Sequence, residues 1–224
     1  SGFRDFLAKD FGYEDKYYIV GKSSAGADMP YVLPGPVDTW GGTWPTSGWR
    51  THQVTILFEL DRKPAEKDNV LYVDLADYAK KFLPLLKVSV NNQDERFQLK
   101  ADGYNLATQP KPRQNEPIVD SLALKGNLAK ATPANLEIKL KPGVLRQGAN
   151  QVTITVLEGS WIMFDRIALA SGGKVNVVKP DGVYVRNVEA ADYELPAGQP
   201  LIVDMEHLSG NPLIEVLVDG KKVL

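Results

Sequence analysis

The chain has 224 residues, enough for one sizeable β-sandwich, or for a sandwich plus a small second unit. Its formal charge of −2, with no block rich in Lys or Arg, excludes a nucleic-acid footprint. With no cysteine, disulfide scaffolds, thiolate zinc sites and cysteine nucleophiles are excluded, and no apolar run approaches the length of a membrane-spanning helix.

The N-terminus, Ser1-Gly2-Phe3-Arg4-Asp5, lacks the basic and apolar regions of a signal peptide, and Phe3 to Phe11 reads as a short helix. From Gly21 to Arg50 the chain is irregular and holds Pro30, Pro34, Pro36 and Pro45. Alternation then takes over. Val54, Ile56 and Phe58 form one row, Leu71, Val73 and Leu75 a second, and Leu86, Val88 and Val90 a third. Each row predicts a strand with one face on a core and one in water. Between the last two, Asp77 to Leu83 reads as one or two helical turns ended by Pro84. Asn91-Asn92 closes the third strand. A second irregular stretch runs from Ala101 to Pro117, and then alternation returns with Leu136, Ile138 and Leu140 and with Val152, Ile154 and Val156. Short strands with Gly/Pro turns and few helical patterns predict an all-β sandwich or jelly roll.

Ser171-Gly172-Gly173 reads as a boundary, giving a domain over 1–170 and a small β unit over 174–224. Strands are expected at Val175 to Val178, Gly182 to Val188, Leu201 to Met205 and Leu213 to Val218. About 50 residues without staples form a marginal core. The chain stops just after the Asp219-Gly220 turn, where a strand would normally continue, so the second unit is expected to be incomplete and the chain a fragment of a larger protein.

Several catalytic signatures are missing. Gly21-Lys22-Ser23 has Lys16 where a phosphate loop needs glycine, and Gly21-Lys22-Ser23-Ser24-Ala25 misses the nucleophile elbow. His52 and His207 show no metal-type spacing and are expected to be partly exposed structural residues. Glu158, Asp165 and Asp74 are the carboxylates most open to a catalytic role, against the plainer reading of solvated strand-edge acids or turn caps. No residue is assigned as catalytic.

Binding chemistry is better represented. Sugars present apolar faces ringed by hydroxyls, which aromatic rings and planar polar groups recognise. Trp40, Trp44 and Trp49, with Tyr31 nearby, are candidate platforms, and Gly41-Gly42 would let backbone approach a ligand. The competing reading is that these tryptophans plug the open end of the sandwich. Arg50, Tyr104 and Arg113 are further candidates for stacking or hydrogen bonding. Asp165 lies in the apolar run Trp161-Ile162-Met163-Phe164-Asp165-Arg166-Ile167, where a charge is costly unless paired. It is expected to need a backbone turn, a basic side chain or a structural Ca²⁺ ion.

The strands and turns also occur in a recognisable order. Leu86-Lys87-Val88-Ser89-Val90-Asn91-Asn92, Leu136-Glu137-Ile138-Lys139-Leu140, Leu145-Arg146-Gln147-Gly148-Ala149-Asn150-Gln151-Val152 and Phe164-Asp165-Arg166-Ile167-Ala168-Leu169 follow one another along the chain. This succession resembles the C-terminal carbohydrate-binding-like jelly-roll domain of rhamnogalacturonan lyases, polysaccharide lyase family 4. The resemblance spans roughly Tyr17 to Ala170, with Asn91-Asn92 departing from the Asn-Gly turn of that pattern and the Trp-rich loop lying outside it. It implies a galactose-binding-like jelly roll in a secreted or periplasmic bacterial enzyme that degrades polysaccharide. It brings no catalytic residues, because the lyase chemistry of the family belongs to a separate domain. The expected function is a non-catalytic module that binds polysaccharide or oligosaccharide beside the parent's catalytic domain. A structural spacer without a ligand and a small glycan-active enzyme using paired carboxylates are the alternatives.

Overall fold

The computed structural model describes residues 16–38, 51–101, 131–191 and 193–222. The expected helix at Phe3 to Phe11 lies outside them. The chain divides into two units, Ser1–Val178 and Lys179–Leu224.

The first unit is a jelly-roll sandwich of two sheets. Its strands are β1 (Lys16–Ile19), β2 (Val32–Leu33), β3 (His52–Leu60), β4 (Val70–Tyr78), β5 (Leu85–Val90), β6 (Gln93–Gln98), β7 (Ala134–Lys139), β8 (Gly148–Glu158), β9 (Ile162–Ala170) and β10 (Val177–Val178), with a single-turn α1 at Ala25–Asp28. One sheet has the order β1-β3-β8-β5-β6, with β10 also on β3, and the other β2-β9-β4-β7. The chain alternates between sheets at β3/β4, β4/β5, β6/β7, β7/β8 and β8/β9, so each connection crosses an end of the sandwich. All five expected rows of alternating apolar residues are strands. Their inward residues, among them Val54, Phe58, Leu71, Val73, Leu75, Leu86, Val88, Leu136, Ile138, Ile154 and Val156, join one core cluster. At about 1.5–3 kcal/mol for each large side chain fully buried, this cluster is the main favourable term in the unit's folding.

Three expectations change. First, no helix forms at Asp77 to Leu83: β4 runs on to Tyr78, and a bend through residues 80–82 carries the chain to the opposite sheet. Second, not every outer face meets water. Thr55, Thr153 and Thr155 are buried as well as the inward residues of β3 and β8, and Thr55 and Thr153 share a hydrogen bond of 3.1 Å. β8 is central in its sheet, so neighbours shield its short side chains. Third, Val177 and Val178 pair with Glu59 and Leu60 of β3, so this strand belongs to the sandwich and the division falls after Val178. Asp61 clips that strand in place by accepting hydrogen bonds from the Asn176 backbone and side chain, each 2.9 Å.

The second unit holds a hairpin of β11 (Val183–Ala190) and β12 (Leu201–His207), with a bulge between Val185 and Asn187. A smaller hairpin pairs β13 (Leu217–Val218) with β14 (Lys221–Lys222). Asp219 and Gly220 turn it at φ 51 and 75, the left-handed pair that suits a two-residue Asp-Gly loop. Of the strand expected at Leu213 to Val218, only the last two residues pair.

Candidate functional site

Strand register defines one end of the sandwich. Leu33 and Tyr78 both lie opposite Ile162, His52 opposite Val156, Leu75 opposite Ala134, and Leu85 opposite Glu158 and Gln98. At this end the chain leaves β2, β4, β6 and β8 and enters β3, β5, β7 and β9. Segments 39–50 and 102–130 connect β2 to β3 and β6 to β7, so both begin and end here.

Buried polar groups hold their roots. Asp38 precedes the first segment; its Oδ2 accepts from the Gly35 N–H at 2.8 Å and its Oδ1 from the Ser160 hydroxyl at 2.6 Å. The Val37 N–H donates to the Gly159 carbonyl at 3.2 Å. Asp77 serves the second segment: its Oδ1 accepts from the backbone N–H of Tyr78 at 2.9 Å and of Thr132, where the chain returns, at 3.0 Å. The Tyr78 hydroxyl donates to the Lys100 carbonyl, where the chain departs. Asp38, Asp77 and Tyr78 are all buried. Carboxylates in such positions are tolerated because backbone donors compensate their lost hydration. The result is a firmly bonded end of the sandwich at the points where segments 39–50 and 102–130 leave and rejoin it.

Tyr31, just before β2, is 47% exposed. Trp40, Trp44, Trp49, Arg50, Tyr104 and Arg113 lie outside the described residues; in the sequence the first four fall within 39–50 and the last two within 102–130. Trp161 is partly buried against the core.

Asp165 requires a correction. It is exposed, not buried in an apolar strand. Asp74 pairs with Arg166 and Leu75 with Phe164, so Asp165 is the extra residue of a β-bulge, and both it and Arg166 reach solvent. The premise for a compensating Ca²⁺ is therefore gone, and among the described residues no group of three or more His, Asp or Glu converges to hold a metal. By contrast, Asp74 on the neighbouring strand is buried and accepts from Arg166 Nε at 2.7 Å and from Asn135 Nδ2 at 3.0 Å. Glu158 is exposed. His52, expected to be partly exposed, is buried, whereas His207 is exposed with its Nε2 2.8 Å from the Gly210 carbonyl.

A concavity lies on the side where edge strands β6 and β7 meet. Gln93 bridges them: its Nε2 donates to the Lys139 carbonyl at 3.0 Å and its Oε1 accepts from the Lys141 N–H at 2.9 Å. The groove, about 560 Å³, is lined by Gln93, Asp94, Glu95, Glu137, Lys139 and Lys141. It is open and alternates acids with lysines, a common way to keep sheet edges from pairing with other chains.

Residues 5–169 match the CBM-like domain described as polysaccharide lyase family 4, domain III. The chain belongs to this family. Among solved structures, a family GH115 4-O-methyl-α-glucuronidase with specificity for decorated arabinogalactans is 11% identical, at a TM-score of 0.32, over 55% of this chain and 14% of that one. No curated protein matches.

Two of the turns that carry the resemblance, at Asn91 and at Arg146 to Asn150, sit at the other end of the sandwich. Asn91 Nδ2 donates to the Val144 carbonyl at 2.7 Å and to Asn150 Oδ1 at 2.9 Å, while its Oδ1 accepts from the Gln151 N–H at 2.9 Å. Asn150 Nδ2 in turn donates to the carbonyls of Arg146 and Gly148, each at 2.8 Å. These residues lock two turns together and build the fold. One residue at the loop-bearing end of the CBM-like domain was missed in the sequence: Phe82, 48% exposed on the β4–β5 connection. The expected helix over 77–83 concealed it.

Proposed function

We propose that this CBM-like domain is a non-catalytic carbohydrate-binding accessory module of a larger polysaccharide-degrading enzyme. It holds the parent's catalytic domain on rhamnogalacturonan or a related polysaccharide, in a secreted or periplasmic bacterial protein. What supports this reading is that segments 39–50 and 102–130, which carry the aromatic and guanidinium candidates in the sequence, are both bounded by strand ends at one end of the sandwich, stiffened by Asp38, Asp77 and Tyr78. Rigid roots lower the ordering cost of binding. The side groove supports catalysis poorly, because it is open to water and interleaves its carboxylates with lysines.

The test is an affinity gel or glycan array with pectic and host glycans, using the whole chain and its Trp40→Ala and Trp44→Ala variants. Retarded migration that either substitution weakens by roughly tenfold supports the module. No retention on any glycan would favour the spacer reading. One feature favours that reading: Val185, Val188, Leu201, Ile202 and Leu217 of the second unit expose apolar side chains that a neighbouring domain would cover.

A further inference from the structure

We propose that Phe82, flanked by Lys81, is a stacking platform for a pyranose ring at the loop-bearing end; this rests on the carbohydrate-binding reading above and adds a residue to it. A lone exposed apolar side chain is ordinary. Phe82 differs in how firmly its backbone is held. The Ser160 N–H donates to the Phe82 carbonyl at 2.9 Å, and the Leu99 N–H donates to the Pro84 carbonyl at 3.0 Å. Gly159, at φ +79, lies so close to the Phe82 and Leu83 carbonyls that a β-carbon there would collide with them. Two segments, residues 159–160 and Leu99, thus fix the bend from which the ring projects, yet Phe82 is about half exposed. A ring presented from a fixed backbone loses little freedom when a ligand covers it.

The ring's surroundings indicate the ligand chemistry. Lys81 Nζ stands 5.4 Å from the Phe82 centroid, within reach of the electron-rich face. The C–H face of a pyranose carries a much weaker positive character and can occupy the same face. The displaced ammonium then has three donors for the hydroxyls at the sugar's rim. Ser160, whose N–H holds Phe82, also bonds Asp38 at the root of the Trp-bearing loop.

Isothermal titration of the whole chain with rhamnogalacturonan and arabinogalactan oligosaccharides tests this. Phe82→Ala should weaken the tighter-bound probe at least about tenfold, with an unchanged melting temperature. Phe82→Trp should retain the affinity, and its added indole fluorescence should shift to the blue on saturation. Lys81→Ala should cause a smaller loss. Wild-type affinity in Phe82→Ala, or an added indole that ignores the ligand, overturns the platform while leaving the module intact. If the unmutated chain binds neither probe, both readings fall.

Discussion

At the scale of single residues, buried polar side chains carry more of this fold than their number implies. Asn150 makes contacts to Arg146, Gly148 and Asn91 from a buried position. Truncation to alanine strands several partners, each worth about 1 kcal/mol when paired and more when left buried and unsatisfied. Asn150→Ala should cost about 2–4 kcal/mol in urea unfolding without altering glycan affinity, since it lies at the end away from the loops. Asp77→Ala should cost a comparable amount, leaving the Thr132 N–H without its acceptor, but should weaken glycan binding too because it anchors a loop root. Equal effects of both variants on binding would contradict this division between fold and site. The asparagines were legible in the sequence as motifs but not as a bonded pair, because only the fold brings residues 91 and 150 together. Asp165 departs from the sequence expectation for a related reason: a bulge adds a residue where strict alternation predicts none, and that residue reaches solvent.

Among the elements, strands with regular inward rows were readable and departures from regularity were not. β6, Gln93–Gln98, passed unnoticed because Phe97 is its only buried side chain and the rest are the polar and charged residues of an edge strand. The end of β4 imitated a helix because a register shift between Leu75 and Asp77 breaks its alternation. Leu75 and Tyr78, both buried, then fall at helical spacing. The bend that follows depends on Gly159, whose left-handed φ and backbone contacts exclude a side chain. Gly159→Ala should destabilise the sandwich by about 2 kcal/mol or more, seen as a lowered melting temperature. At the opposite end, Asp61 holds β10 against β3. Its carboxyl lies well below the usual carboxylate range, chiefly through the Arg62 hydrogen bond and then through those from Asn176. A carboxylate depressed by folding stabilises fully above its unfolded value, 3.8, and loses that contribution as pH falls through the lower folded one. Asp61→Asn should therefore flatten the acid limb of the stability curve below pH 3.8. An unchanged limb in chemical denaturation would show that the clip contributes nothing.

For the molecule as a whole, the contrast between the two units governs how it opens. The sandwich has a continuous core from two sheets. In the second unit, Pro180 and Ala191 alone are buried among the described residues, while Val185, Val188, Leu195, Leu201, Leu213 and Leu217 are each about half exposed or more. The boundary at glycines 172 and 173 was a reasonable sign of a change in architecture, but pairing of β10 with β3 moved it. What the sequence already conveyed was the energetic weakness of the second unit. Two-stranded hairpins are marginal unless a third element covers their apolar face. Opening free energies should therefore differ between the units. In native-state hydrogen exchange, amides of β8, buried at the centre of its sheet, should exchange only on global unfolding. Those of β11 and β12 should exchange faster by a factor of at least about 10², equivalent to roughly 3 kcal/mol. If a domain of the parent enzyme packs on this hairpin, adding that domain should slow exchange in β11 and β12 and leave β8 unchanged. Equal protection of β8 and β11 in the isolated chain would mean that the exposed valines and leucines are sealed in solution, and the idea of an uncovered docking face would have to be abandoned.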